Sequence, residues 1–347
     1  MSIADGAAST AEKPDRARSR SGRATIYDVA ERAGVNPSTV SRALGHPGRV
    51  SPKTEEKIRK AAAELNFRMN PMARALPTGK TMTLAIVVAD ITNPVVFGTI
   101  RGAEQAAAAA GYTLVIAESQ ESGSAEASTI ERLLPSVDGI VLATTRLSPD
   151  AITALADRVP LVTINNRPPG VDAVVMESAE SIASLVGHLV DLGHTSLAYV
   201  SGPTTSWSSV QRGEALLVEA ERHGVGLVEI PSSAPTIEGG HASFRRVVAS
   251  RATAVIGFND LVAIGIMQSA TAAGVRVPED LSVAGFDDIF GSELIVPPLT
   301  TVRARLDLAG EYSVNALLAR LNATPADVDA PLSTELVVRG STGRAPA

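Results

Sequence analysis

The side chains in this sequence that could do chemistry fall into two sets, and both suit binding better than bond-making. The first is the short stretch Pro37-Ser38-Thr39-Val40-Ser41-Arg42, where hydroxyls and a guanidinium share a polar helical face. Hydroxyls and a planar five-donor fork recognise acceptor-rich surfaces such as phosphates and base edges. The second is a recurring pattern in which a short apolar run ends in polar residues. Asp90-Ile91-Thr92-Asn93-Pro94, Asn165-Asn166-Arg167, Ser201-Gly202-Pro203 with Ser206-Trp207, Asn259-Asp260 and Asp287-Asp288 all stand in that position. The motifs of common hydrolases and nucleotide-handling enzymes are missing: there is no Gly-x-Ser-x-Gly elbow, Walker loop or His-Glu-x-x-His helix. Asp287 and Asp288 make a poor acid–base pair, because neighbours on a strand point to opposite faces. The histidines are scattered: His46 follows the hydroxyl-rich helix and His194 stands at a helix end. With no cysteine there is no thiolate nucleophile, disulfide framework or Cys-based metal site. Neither enzymatic activity, a cofactor nor a metal is expected.

Charge separates the regions that hold the two sets. Residues 1–80 carry a net +7 and the remainder −13, within an overall −6. A basic module on an acidic body means that one end meets a polyanion and the rest does not. At 347 residues, with 45% hydrophobic and 20% charged residues, two or three packed domains are expected. No apolar run reaches membrane-spanning length, and Asp5 with an Arg-rich stretch behind it does not read as a secretory signal. The expectation is a cytoplasmic protein with no membrane association.

Within the basic module, residues 1–22 are rich in Ala, Ser and Arg, show no periodicity and read as a disordered tail. Residues 23–68 are patterned. Thr25-Ile26-Tyr27-Asp28 has the spacing of a capping box, and Ile26, Val29, Ala30 and Ala33 recur at helical spacing before Gly34. Asn36-Pro37 and Ser51-Pro52 each place a capping residue before a proline suited to the first helical position. Val40 and Leu44 give the second helix an apolar side, and Ile58, Ala61, Ala62 and Leu65 give the third one. Three short helices with a tight first turn suit a helix-turn-helix; a three-helix domain that binds protein is the alternative.

The acidic body alternates. Apolar runs at 84–89, 113–117, 139–143, 161–164, 197–200, 254–258 and 282–286 suit strands buried on both faces. Helical stretches such as 100–110, 178–192, 207–223 and 261–273 lie between them. Such alternation over about 260 residues means two doubly wound α/β lobes, with ligands outside the carboxyl ends of parallel strands.

Thr25–Ala30, Ala33-Gly34-Val35 and Ser38–Leu44 resemble the DNA-binding headpiece of the LacI/GalR regulators, and the likeness runs through Glu64–Arg68 into Ala73-Arg74-Ala75-Leu76. Further matches are Arg101-Gly102, Val137-Asp138-Gly139, Leu192-Gly193-His194, Val277-Pro278-Glu279-Asp280, Gly285–Asp288 and Pro298-Leu299-Thr300-Thr301; the resemblance covers residues 24 to about 340. It implies a headpiece at 23–68, a hinge helix and linker at 69–80, and a periplasmic-binding-protein-like core at 81–343. The N-lobe is expected at about 81–167 and 301–326, the C-lobe at about 168–300 and 327–343. It also implies base reading by Pro37, Ser38 and Arg42, phosphate contacts from Tyr27, Thr39 and Ser41, and minor-groove contact from the hinge through Arg74 and a wedging Leu76. One departure is Met69 where the hinge usually begins with proline; Pro71 follows it.

Carried onto the core, the same resemblance places an effector site between the lobes. It would use Asn165, Arg167, Arg212, Asn259 and Asp287, with Val95 and Val96 on the N-lobe wall. Relatives often have aromatics where the two valines stand, which leaves Trp207 to supply stacking. An indole with Asp, Asn and Arg side chains suits a sugar, with a nucleoside as competitor. Each residue keeps a plainer account: Asp287 and Asn259 as helix caps, Trp207 as packing and Asn93 as a helix entry. The expected partners are thus a pseudo-palindromic DNA operator, a small-molecule effector and a second copy of the chain. A repressor bound to the nucleoid is the expected role; a sugar-binding sensor or sugar-processing enzyme without operator function is the other class.

Overall fold

The computed structural model describes residues 24–45, 48–67, 79–325 and 331–346. The chain divides into two compact units, Met1–Thr81 and Met82–Ala347. The tail 1–22, most of the expected hinge, and with them Met69, Pro71, Arg74 and Leu76, lie outside the described residues, as does His46.

Three helices form the described part of the first unit: α1 (Ile26–Ala33), α2 (Pro37–Gly45) and α3 (Pro52–Glu64). The capping box forms as its spacing requires. Thr25 Oγ1 accepts from the Asp28 N–H, and Asp28 Oδ2 accepts from the Thr25 N–H at 2.6 Å. Gly34 ends α1 in a left-handed conformation, φ 66°, that costs glycine nothing and returns the chain at once. Ser51 caps α3 through the Thr54 N–H, with Pro52 in its first turn. Val29, Ala30, Val40, Ala43, Ile58, Ala61 and Ala62 form the shared core, and Leu44 packs on its margin. The Arg32–Glu64 ion pair, 2.7 Å, ties the end of α1 to the end of α3.

The second unit is built on two sheets. In the N-lobe sheet, β1 (Thr83–Val88), β2 (Thr113–Glu118), β3 (Gly139–Ala143), β4 (Leu161–Ile164) and β5 (Asp172–Val174) run parallel in the order β2-β1-β3-β4-β5. Helices α4 (Val95–Ala109), α5 (Gly123–Leu133) and α6 (Pro149–Ala156) connect them. Alternate residues of β1 serve the two faces: Leu84, Ile86 and Val88 pack toward α4, Ala85 and Val87 toward α5 and α6. This two-sided burial is why the strands read as unbroken apolar runs.

A two-residue strand, β6 (Met176–Glu177), leads into the C-lobe, with helices α7 (Ala179–Asp191), α8 (Trp207–His223), α9 (Ile237–Ser250) and α10 (Asp260–Ala272). Its sheet contains β7 (Ser196–Ser201), β8 (Gly226–Pro231), β9 (Ala254–Gly257), β10 (Ser282–Asp287) and β11 (Thr300–Arg303). The chain returns through α11 (Leu306–Leu321) to the N-lobe core, then through β12 (Leu332–Ser333), paired with β6, to β13 (Glu335–Val337). The C-lobe order is β13-β11-β10-β9-β7-β8, parallel except for β11 with β13.

The lobes exchange at positions other than those expected. β5 stays in the N-lobe sheet beyond residue 167, because β4 offers an open edge on which Val162 and Asp172 pair. β11 belongs to the C-lobe sheet although the N-lobe was expected to resume at 301, because Ala284 of β10 pairs with Thr300. Helix α4 also starts at Val95, before the expected residue 100: Asn93 Oδ1 accepts from the Val95 N–H at 3.1 Å, so Asn93 is the helix entry. Where α4 meets α11, a Cβ added to Gly102 would lie 1.9 Å from the Asp307 carbonyl oxygen, and one on Gly310 1.9 Å from that of Thr99. That crossing requires glycine on both helices. Among the described residues no helix is long and apolar enough to cross a membrane.

Candidate functional site

The first site is the exposed side of α2. Val40 and Ala43 turn into the three-helix core, which fixes the helix rotation and sends Ser38 and Arg42 outward. Pro37, Thr39 and Ser41 are half-buried at its margins, and Tyr27 on α1 is 56% exposed. Arg42 Nε lies 3.3 Å from the Ser38 carbonyl one turn back, which leads the guanidinium along the helix toward its N-terminal end. An exposed short helix presenting hydroxyls and one arginine fork at that end has the form of a major-groove reader.

The second site is a cavity of about 480 Å³ at the lobe crossing. The carboxyl ends of strands from both sheets line it, as do the crossing segments through Met176, Ala304 and Thr334. All eight residues expected at an effector site line it: Val95, Val96, Asn165, Arg167, Trp207, Arg212, Asn259 and Asp287. They do different things there. Val95 and Val96 are the first two residues of α4 and form an apolar wall. Trp207 opens α8, whose N-terminus Ser206 caps, and its half-buried indole is available to stack. Asn165, at φ 52°, accepts from the Met176 N–H at 3.0 Å and so braces the first crossing. Arg167 is exposed and forms no ion pair among the described residues.

Arg212 and Asp287 form the charged centre of the C-lobe wall. Arg212 Nη2 donates to Asp287 Oδ1 at 3.0 Å and Nη1 to the Phe258 carbonyl at 2.6 Å. The guanidinium also lies over the rings of Phe258 and Phe286, 5.2 and 4.5 Å from their centroids. Ion pair and cation–π contacts hold the arginine in one place while Asp287, 8% exposed, keeps Oδ2 for another partner. Asp288 turns away from Asp287 to pair with Arg303 and Arg339, at 2.5 and 2.7 Å.

Asn259 lines the cavity and takes the helix-cap account kept for it. It is 2% exposed; its Oδ1 caps α10 through the Val262 N–H, and its Nδ2 donates to the Pro235 carbonyl. Its amide is directed to backbone on both sides, so it builds the wall. Behind it Asp260 is fully buried, accepting from the Ile289 N–H, Ser292 Oγ and Thr301 Oγ1. Burial, reinforced by the Asp287 charge, pushes the Asp260 carboxyl up to about 7 against those three hydrogen bonds.

The cavity also holds residues that the sequence reading passed over, chiefly Glu121 and Arg146 on the N-lobe wall, and Phe258 and Phe286. The signal for the first two was present. The pattern of polar residues closing an apolar run, continued beyond 113–117 and 139–143, reaches both.

The sequence profile described as bacterial regulatory proteins of the lacI family matches residues 25–70, and that of the periplasmic binding protein-like domain matches residues 186–342. The chain is 32% identical to the HTH-type transcriptional regulator DegA of Bacillus subtilis (strain 168), over 92% of this chain and 98% of that one. It therefore belongs to the lacI family. The regulator is also 30% identical to the HTH-type transcriptional repressor CytR of Escherichia coli (strain K12), over 95% of this chain and all of that one. Among solved structures it is similar to the lac repressor dimer bound to operator and the anti-inducer ONPF, with a TM-score of 0.83 at 27% identity, covering 92% of this chain and 99% of that one. The CelR–cellobiose complex matches with a TM-score of 0.68 at 28% identity, over 92% of this chain and all of that one. This lacI-family regulator is a DNA-binding transcription regulator with a helix-turn-helix and a two-lobed α/β core.

Proposed function

We propose that this regulator is a homodimeric repressor that binds a pseudo-palindromic operator and is controlled by a sugar held in the cavity between its lobes. The observation that carries the reading is the presence in one chain of an exposed recognition-type helix and an interlobe cavity of about 480 Å³, within the usual size range of small-molecule sites. Ser38 and Arg42 would read base edges, with Pro37 adding apolar contact; Tyr27, Thr39 and Ser41 would hold phosphates and set the register. The hinge, through Arg74 and Leu76, would enter the minor groove at the operator centre. Self-association draws support from Phe290, Leu294 and Val296, which expose large apolar side chains within seven residues of the C-lobe, and from Phe97 on the N-lobe.

Val95, Val96, Trp207, Asn165, Arg167, Arg212 and Asp287 would contact the effector, and the relative CelR is described in complex with cellobiose. The half-buried indole of Trp207 would also stack on a base, which keeps a nucleoside as the second reading. Effector and operator are linked through the core conformation: a ligand that prefers one lobe arrangement shifts operator affinity only by its differential affinity for that arrangement. The cytoplasm is the proposed place of action. Selection of bound duplexes from a random library by the purified full chain tests the reading. An inverted repeat is expected, from the chain alone or with added metabolite extract. Recovery of no motif under either condition would overturn operator binding.

A further inference from the structure

The N-lobe wall of the cavity carries a charged cluster that the effector residues already described do not include. The loops that follow β2 and β3 meet there. Arg146 is 5% exposed in its side chain, and four of its donor contacts are spent on the protein. Nε and Nη2 reach Glu121 Oε2 at 2.7 and 2.6 Å, and Nη1 reaches the carbonyls of Thr144 and Thr145 at 2.7 and 3.3 Å. Beneath it Glu126, 1% exposed, accepts from the Arg146 N–H through Oε2 at 2.8 Å. Burial raises the Glu126 carboxyl above the ordinary range, and Glu121 is the carboxylate that the Arg146 guanidinium contacts directly.

The consequence lies in what remains to meet a ligand. Both bonds from Arg146 fall on the same oxygen of Glu121, so Glu121 Oε1 is left on a side chain 29% exposed at the cavity. The C-lobe wall repeats the arrangement: Arg212 is held by Asp287 Oδ1, a carbonyl and two rings, and Asp287 Oδ2 is left over. On each lobe an arginine whose donors are spent on the protein steers a carboxylate, so the group left to hydrogen-bond a ligand is the carboxylate's second oxygen. Asp90 adds one more half-buried carboxylate to the lining, while Glu177 and Arg167 are both exposed, of opposite sign and alike screened. An ionised carboxylate only accepts hydrogen bonds. The walls therefore favour a molecule rich in hydroxyl donors on both sides, and disfavour one bearing a phosphate or carboxylate.

Building on the effector reading above, we propose that Glu121, positioned by Arg146, is a specificity residue of the cavity that selects a polyhydroxyl effector without an acidic group. Arg146 is a positioning residue, acting through Glu121.

The test is a titration of the full chain with matched compounds. D-glucose, D-ribose, cellobiose, adenosine and cytidine form one set; glucose 6-phosphate, ribose 5-phosphate, D-gluconate, D-glucuronate, cellobionate and the two nucleoside monophosphates form the other. At least one uncharged compound is expected to bind, and to be preferred over its own phosphate or acid by on the order of 100-fold, the scale on which like charges set against each other reduce affinity. Glu121→Gln keeps the shape and removes the charge; it should weaken the uncharged compound roughly 10-fold and lower the preference by a similar factor. Arg146→Met should lower the preference likewise, with Arg146→Lys restoring part of it, whereas a purely structural role would lower the melting temperature and leave the preference alone. Tighter binding of an acidic member, or an unchanged preference in Glu121→Gln, would overturn the inference while leaving an effector cavity. Binding of no compound from either set would overturn the effector reading and this inference with it.

Discussion

At the residue scale, the regulator depends on polar groups whose neighbours decide their state. Arg42 is exposed on α2 with its guanidinium turned toward the first turn of the helix. Bidentate pairing of arginine with a guanine edge is worth about 1–3 kcal/mol of discrimination. Arg42→Ala should therefore relax base preference at one position in each half-site, as read by repeating the library selection; equal weakening on every sequence would place Arg42 on the phosphates. Asp260 makes a prediction about pH. Its folded-state carboxyl stands near 7, above its ordinary 3.8, so between about pH 4 and 7 the folded chain holds a proton that the unfolded chain has lost. This stabilisation, relative to the fully ionised state, fades as pH rises through that window and is gone above it. Asp260→Asn has no charge to bury and should flatten the loss, a difference of up to a few kcal/mol. Urea midpoints of parent and variant at pH 5 and pH 8 measure it, and identical pH slopes would contradict it.

At the scale of elements, the cavity is made by ends: the carboxyl ends of strands, the first turns of α4 and α8, and the cap of α10. Caps fix where those helices begin, and Asn259 shows that a polar residue beside a ligand site can be spent wholly on that task. The α4–α11 crossing anchors the returning chain to the N-lobe. A methyl at Gly102 would sit 1.9 Å from a backbone oxygen, which no side-chain adjustment relieves. Gly102→Ala should cost roughly 1–3 kcal/mol as the helices part. For a unit of this size that is a fall of several degrees in melting temperature. An unchanged melting temperature would mean that the helices slide past each other freely.

Across the whole molecule, a headpiece region of net +7 is joined to a body of −13. Binding at the two ends should answer to salt in different ways. Operator affinity reflects release of condensed counterions and should drop on the order of 10³-fold between 50 and 200 mM salt if the dimer makes several phosphate contacts. Affinity for an uncharged cavity ligand should change by less than about tenfold, since no ion pair with solvent access forms or breaks. Filter binding and calorimetry across that salt range separate the two; equal salt slopes would show a charged effector.

The headpiece was legible residue by residue because its determinants are local. Thr25 with Asp28, Gly34, Ser51 and Pro52 act within one turn of where they stand, and each does what its type and spacing require. The central strands were legible because burial on both faces leaves an unbroken apolar run. β8, at a sheet edge with most of its residues exposed, and the three-residue β5 carry no such run and went unread. The strand-end rule, which needs only strand positions, reaches Asn165, Arg167, Trp207, Asn259 and Asp287 at the cavity, whereas Val95, Val96 and Arg212, which stand on helices, come from the family resemblance alone. Which lobe takes β5 and β11 was decided by pairing between strands, 162 with 172 and 284 with 300, and no local composition encodes that choice. The state of each polar group was decided later still. That Asn259 is consumed by a helix end, that Asp260 is pushed toward neutrality, and that Arg146 is buried against Glu121 follow from what packs around them. Hydrogen-bond demand and desolvation are set by neighbours distant in the chain, and only the assembled tertiary structure supplies them.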